Sequence, residues 1–466
     1  MTTVFPAIKK TFLQMMGPSI IFIALSISGG EMLLWPHLVA NYGFAILWPI
    51  PLILIMQFVT NLEIERYTLV TGKSVEKSLV GQSSWLAIIF AVSVLAALVW
   101  PAWITTAGNL LAVIFGFGGE NFKTAGLVIS IILLILSLLI FTREKTYKSL
   151  ELLTKLGVGA TLLIIFAVVI LKFDSSAFTE AVKGLFSFGY IPKDISRFAF
   201  VGALAYGGVA GVLNLVQSEW IKDKGYGVNL PDINPENIDH HAIESVSNYK
   251  KWFTFINKEH FLIFLVGNLV SIFLLAYLGY LLVPMGSAQG FDVLKNEVAA
   301  LNKYLPYLGT IFAIAGVLVF TMANITILDC IGRLINKLLA PFKNPPTSSQ
   351  ISIAAVIIGI VILLLSVIIP NFQQPFFLLV TSAVASAFTM WIYPPLLLKL
   401  NYELPKPYQP KLWRTIIVLI TTVFYGAVTL WALASYLPIW LIILLAVGIS
   451  AFHIYVIFKI IQNAQS

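Results

Sequence analysis

The chain has 466 residues, 59% of them hydrophobic and only 11% charged, with a formal net charge of +8 and one cysteine. A water-soluble domain carries about 25% charged residues, so an ordinary soluble fold is excluded, and a lone Cys330 excludes an intramolecular disulfide. Apolar runs of about 20 residues recur from end to end, each long enough to cross roughly 30 Å of hydrocarbon, while the alternating segments of about ten residues that a transmembrane barrel needs are absent.

These runs predict an all-α integral membrane protein, one polytopic domain over residues 1–466, with about twelve transmembrane helices at roughly 13–40, 43–66, 85–115, 124–142, 151–172, 198–218, 260–284, 306–338, 351–369, 374–398, 413–434 and 437–460. The first run follows Lys9 and Lys10 and mimics a signal peptide, but the many spans behind it mark it as a retained first helix. With the N-terminus inside, about 22 of the 29 Lys and Arg residues fall on the cytoplasmic side and about 7 outside, as the positive-inside rule requires. The net charge therefore records topology and implies no nucleic-acid partner. A multi-pass protein of the plasma membrane is expected, in contact with the lipid bilayer, with both termini cytoplasmic and a monomer as its form.

Span one reads "SISGGEMLLWPH" over residues 26–37, two glycines followed by Glu31 inside an apolar helix. Span six reads "FVGALAYGGVAGVLNLVQSEW", with Gly207, Gly208 and Gly211 at matching depth. Spans one and six each open a block of five helices, so glycine weak points in corresponding places predict an inverted-repeat transporter whose site lies at the breaks. The first repeat covers about 13–172 and the second about 198–398, with extra helices at about 413–460. Unwinding at Gly29 and Gly30 frees carbonyls and amides, which membranes tolerate only facing protein or a wet cavity; a nearby carboxylate, Glu31, then carries the substrate's charge. Asn214 and Ser218 continue a polar face along span six toward an inner vestibule.

Other polar residues receive plainer readings. Glu63, Glu65 and Arg66 read as an interfacial cluster closing span two. Thr105, Thr106 and Asn109 in span three are candidates for the pathway lining. His37 reads as a structural residue at the outer end of span one, and Asp329 with Arg333 as a helical i,i+4 ion pair. The polar stretch at about 219–259 reads as a cytoplasmic loop holding at most one short helix.

At this point the residues resemble a family. "MGPSIIFIALSISGGE", "RYTLVTGKS", "NLVQSEWIKDKGYG" and "LKLNYELPKPYQPKLWR" are similar to segments of the Nramp (natural resistance-associated macrophage protein) family of divalent-metal transporters, over about residues 13–430. The resemblance implies a leucine-transporter-type fold of five plus five inverted helices, interrupted helices one and six, and metal binding between them. The family's Asp-Pro-Gly-Asn motif falls on Ser28, Gly29, Gly30 and Glu31, and its Met-Pro-His segment on Ala210, Gly211 and Val212. The usual metal-binding aspartate and the soft thioether are thus missing. Glu31 is placed to reach back and stand in for the carboxylate lost at Ser28, which makes Glu31 and Ser28 the expected metal ligands.

Carboxylate, hydroxyl, carbonyl and water suit a hard cation such as Mg²⁺ or Mn²⁺. The substrate site is expected at Ser28, Gly29, Gly30, Glu31, Gly207, Gly208, Ala210, Gly211 and Asn214. The family's proton route uses acids in helix three, a histidine in helix six and arginines in helix nine; none has a counterpart here, so transport without coupled protons is expected. A small organic solute such as an amino acid, held by half-helix ends, is the alternative substrate, and a sensor or scaffold that has lost transport is a third class. Nothing resembles a phosphate loop, a catalytic triad or a haem site, so neither an enzyme nor a cofactor is expected.

Overall fold

Length and apolarity dictate the architecture. The computed structural model describes residues 3–9, 11–12, 17–81, 84–143, 147–209 and 211–465. Among them ten helices are long and apolar enough to cross a bilayer: Pro18–Tyr42, Phe44–Thr71, Trp85–Ile114, Asn121–Ile140, Ile243–Leu282, Leu308–Leu338, Ser348–Leu365, Pro375–Tyr402, Leu412–Leu433 and Ile439–Gln462. The shorter apolar helices Leu156–Leu171 and Arg197–Tyr206 stand where spans five and six are expected. Strands play no part among the described residues; a single bridge, Thr3 to Ile238, ties the N-terminal segment beneath the bundle.

Burial orders the spans. In the most apolar stretch of span one 94% of residues are buried, against 17% in span twelve, so span one runs through the centre and span twelve along the lipid-facing rim. Local chemistry sets several ends. Gly72, in the left-handed region at φ 66°, closes span two, and Thr347 with Gln350 forms a capping box that starts span nine. Asp174 caps the helix Ser175–Gly184 by accepting from the Ser176 and Ala177 amides.

Two stretches differ from their reading in the sequence. Residues 243–259 are a helix, not loop: Ile243–Glu259 runs through a π-helical segment, His260–Val266, into Gly267–Leu282. Its buried positions Ser245, Asn248, Tyr249, Trp252, Ile256 and Glu259 recur every three or four residues. That is one face of a helix, and its polar outer face keeps the mean apolarity low enough to resemble a loop.

The second difference is the acid–base cluster of span two. Glu63, Glu65 and Arg66 are 0%, 1% and 3% exposed, so they are packed inside the bundle and are not a solvated cluster. Arg66 Nε donates to Glu63 Oε2 at 2.7 Å, and Arg414, from the start of span eleven, reaches Glu63 Oε1 at 3.3 Å. One buried carboxylate is thus shared by two guanidiniums. Glu63→Gln would leave both without their counter-charge, a loss of about 3–5 kcal/mol, read as a lower unfolding midpoint in detergent. Glu403→Gln, at the exposed Lys399–Glu403 pair, is expected to cost under about 1 kcal/mol. Equal losses in the two variants would contradict this assignment.

Candidate functional site

Span one is α-helical over Pro18–Ser26, π-helical over Ile27–Leu34 and α-helical again over Trp35–Tyr42. The α-helical ladder is interrupted at the predicted glycines, but by widening and not by unwinding. The reason is chemical. Gly29 stands where the family motif has proline, and unlike proline it keeps its N–H, so the chain continues with bonds to the fifth residue back, as from the Trp35 amide to the Gly30 carbonyl.

Span six is broken outright. Arg197–Tyr206 ends as the Gly207 amide donates to the Ala203 carbonyl at 2.7 Å, and the helix resumes only at Val212–Lys224. Gly208 and Gly211 take φ of 106° and 84°, a region that side chains disfavour. Ala210 lies outside the described residues.

A break inside a membrane leaves backbone groups that need partners, and side chains from spans one, two and eleven supply them. The Gly208 amide donates to Ser26 Oγ at 2.9 Å, and the Ser26 hydroxyl donates to Glu31 Oε1 at 2.6 Å. Gln57 Nε2 donates to the Gly207 carbonyl at 3.3 Å and to the Tyr425 hydroxyl at 2.9 Å, while Tyr425 donates to the Leu204 carbonyl at 3.1 Å. The Tyr206 hydroxyl lies 2.6 Å from Ser382 Oγ on span ten.

Glu31 is fully buried, and its Oε2 has no hydrogen-bond partner among the described residues. The neighbouring Ser271 hydroxyl turns back to the Gly267 and Asn268 carbonyls at 3.0 and 3.3 Å. Gln57 Oε1 is likewise unpartnered and stands beside Gly208, 2.6 Å from where a methyl group would project. Two unpartnered oxygens therefore lie near the break, and oxygen is the ligand type that hard cations take. No group of three His, Cys, Asp or Glu side chains that could hold a metal ion occurs among the described residues, so further ligands would be hydroxyl, amide or carbonyl oxygens.

The structure brings Glu31, Gly30, Gly207 and Gly208 together, but not all the expected residues. The Ser28 hydroxyl donates to the Leu25 carbonyl at 3.0 Å within its own helix, and it is Ser26 that holds Glu31. Ser26 precedes Glu31 by five residues, the contact distance of a π-helix, which an α-helical reading misses. Asn214 Nδ2 faces the Met390 sulfur at 3.8 Å, toward span ten. Thr105 and Thr106 donate to carbonyls four residues back, so both hydroxyls are engaged within their own helix. Ser218 accepts from the Val75 amide at 3.1 Å and so anchors the short helix Val75–Val80.

His37 accepts from the Gly290 amide at 3.1 Å, a structural role. Asp329 and Arg333 form the expected ion pair at 2.9 Å, which Asp223 extends.

A second buried polar cluster lies where spans one, two, six and seven begin or end. His260 Nδ1 is 3.0 Å from Ser19 Oγ, and its Nε2 is 3.2 Å from Asn61 Nδ2. Glu65 lies 3.7 Å from Nδ1 and accepts from Gln217. Glu259 accepts from the Gly17 amide at 3.0 Å and from the Tyr226 hydroxyl at 3.3 Å. The first turn of span one is thereby tied to span seven. Outside the spans, burial and the neighbouring Glu219 charge push the Glu76 carboxyl up to about 8, and burial alone lifts Glu297, on the helix Phe291–Tyr304, well above the usual carboxylate range.

No protein-family model matches the chain, and no curated protein matches it in sequence. Solved structures match it in shape. A histidine-to-alanine mutant of the Eremococcus coleocola manganese transporter superposes with a TM-score of 0.72 at 16% identity, over 100% of this chain and 98% of that one. The same transporter bound to an aromatic bis-isothiourea substituted compound gives 0.70 at 16% identity, over 99% and 97%. A glutamate-to-glutamine mutant gives 0.71 at 17%, over 100% and 98%. From end to end, the chain has the Nramp-type, leucine-transporter-like helical fold that its sequence resemblance implies.

Proposed function

We infer that this protein carries a divalent cation across the plasma membrane through a site between spans one and six, with Glu31 as the charged ligand. The observation that carries the reading is the Glu31 carboxylate, wholly buried at the break with one oxygen unpartnered. A bare buried carboxylate is costly, and a bound cation removes that cost. The fold shared with a manganese transporter supports the same reading. Oxygen ligands without thioether or thiolate favour Mg²⁺ or Mn²⁺ over softer metals. The distribution of Lys and Arg supports cytoplasmic termini.

Purified protein in liposomes tests the reading: saturable uptake of Mg²⁺ or Mn²⁺, matched by binding heat in calorimetric titration, is the expected result. Absence of both, with uptake of an amino acid instead, would replace the cation by the organic solute.

Uptake is expected without proton movement, because span three has no acid, Val212 occupies the place of the family's histidine and span nine is uncharged. A pH dye inside the liposomes should stay flat during metal entry. Acidification in step with uptake would overturn it.

A further inference from the structure

A cavity of about 660 Å³ opens at the basic end of the bundle, between the start of span seven, the end of span two and the start of span eleven. Its lining holds five cations, Arg66, Lys250, Lys258, Lys411 and Arg414, and no Asp or Glu. Glu63, behind the wall, neutralises one charge by pairing with both arginines, which leaves an excess of about four positive charges around one space.

The arginines are held in place. Arg66 stands 4.1 Å and Arg414 5.0 Å from the Phe253 ring centre. Arg66 also donates to the Tyr249 hydroxyl at 2.7 Å, and Arg414 to Asn257 Oδ1 at 2.5 Å. Lys250, Lys258 and Lys411, by contrast, are exposed and make no ion pair among the described residues. Lys250, Thr254 and Lys258 recur every four residues and so share one face of the helix.

The other end of the cavity is apolar. Phe58 lies eight residues deeper than Arg66 along span two, about 12 Å into the membrane at the helical rise, and it lines the same space. Phe261 and Trp413, each 47% exposed, line it too, and half-exposed aromatic side chains are characteristic of a membrane interface. A cationic mouth with an apolar rear matches a molecule that is anionic at one end and hydrocarbon at the other. A soluble anion would leave the Phe58 end unused.

We propose that this cavity is a binding site for the headgroup of an anionic phospholipid of the cytoplasmic leaflet, with Lys250, Lys258 and Lys411 closing on its phosphate and the first acyl carbons lying along Phe58 and Phe261. The site is separate from the cation pathway, so its test does not depend on the transport reading.

The full chain in detergent is titrated with short-chain phosphatidylglycerol, a phosphatidylinositol phosphate and phosphatidylcholine, and adducts are counted by native mass spectrometry. The anionic lipids are expected to bind at least tenfold tighter than phosphatidylcholine. The triple variant Lys250→Gln, Lys258→Gln, Lys411→Gln, all at exposed positions that leave the core intact, should lose at least fivefold for the anionic lipids and nothing for phosphatidylcholine. A control triple on other exposed lysines, Lys73→Gln, Lys77→Gln, Lys343→Gln, should bind like the unaltered chain. An equal loss in the control would reduce the effect to general surface charge and overturn the site. Competition by inorganic phosphate or a soluble inositol phosphate at the lipid's own concentration would overturn the lipid as occupant.

Discussion

Glu31→Gln is expected to lower cation uptake at least tenfold without unfolding the protein. Glutamine preserves the side chain's length, and its carbonyl oxygen can still accept the Ser26 hydroxyl that now reaches Oε1 at 2.6 Å. The amide nitrogen then occupies the position of the unpartnered Oε2 and presents N–H donors where the carboxylate presents lone pairs. A cation meets a donor in place of an anion. Tenfold corresponds to about 1.4 kcal/mol, a modest demand on a fully buried charge contact. Uptake in liposomes and the unfolding midpoint, measured on one preparation, separate transport from folding. Wild-type uptake by the variant would make Glu31 a structural acid and remove the main support for the cation.

The second large effect separates two neighbouring glycines. Gly30→Ala is expected to abolish transport and to lower stability by more than about 1–3 kcal/mol, the usual cost of overpacking. An added methyl would lie 2.5 Å from the carbonyl carbon of Tyr206 and nearer still to its oxygen, and backbone cannot rotate away as a side chain can. Gly29→Ala meets nothing closer than the Tyr206 ring at 3.6 Å, an ordinary contact, and alanine favours the helix over glycine. That variant should fold and transport at near wild-type rates. Equal tolerance of both substitutions would show that spans one and six do not touch as described.

These glycines also show how far the sequence could be read. Spans announce themselves because crossing hydrocarbon demands long apolar runs, and Gly207, Gly208 and Gly211 mark a real break because the left-handed backbone at two of them favours glycine. Gly29 and Gly30 look the same on paper but lie in a continuous, wider helix, and it is Gly30 alone that packs on the Tyr206 backbone, some 180 residues away. Glu31 could be singled out as an acid in an apolar helix. Ser26 and Gln57 could not, since a serine or glutamine in a span has many uses and only the fold brings them to Gly208.

The burial of Glu65 and His260 was hidden for another reason. Each sits near the end of an apolar run, where polar residues are ordinary, and their burial depends on spans two, six and seven meeting. The helix Ile243–Glu259 was concealed by its own amphipathic character: half its surface is polar, and average apolarity does not register a periodic face.

The contrast between a widened span one and a severed span six has a mechanical outcome. Span one is one rod of 25 residues, so a tilt imposed at Pro18 is expected to reach Tyr42, its two ends swinging in opposite senses about the Gly30–Tyr206 contact, as on a lever. Span six is two short rods of 10 and 13 residues, and either can pivot while the other stays still. In the proposed transport, span one is therefore expected to set access from one side against access from the other, with span six accommodating the swing. Spin labels near the two ends of span one should report anticorrelated distances to span nine as substrate is added, and labels on the halves of span six should move independently.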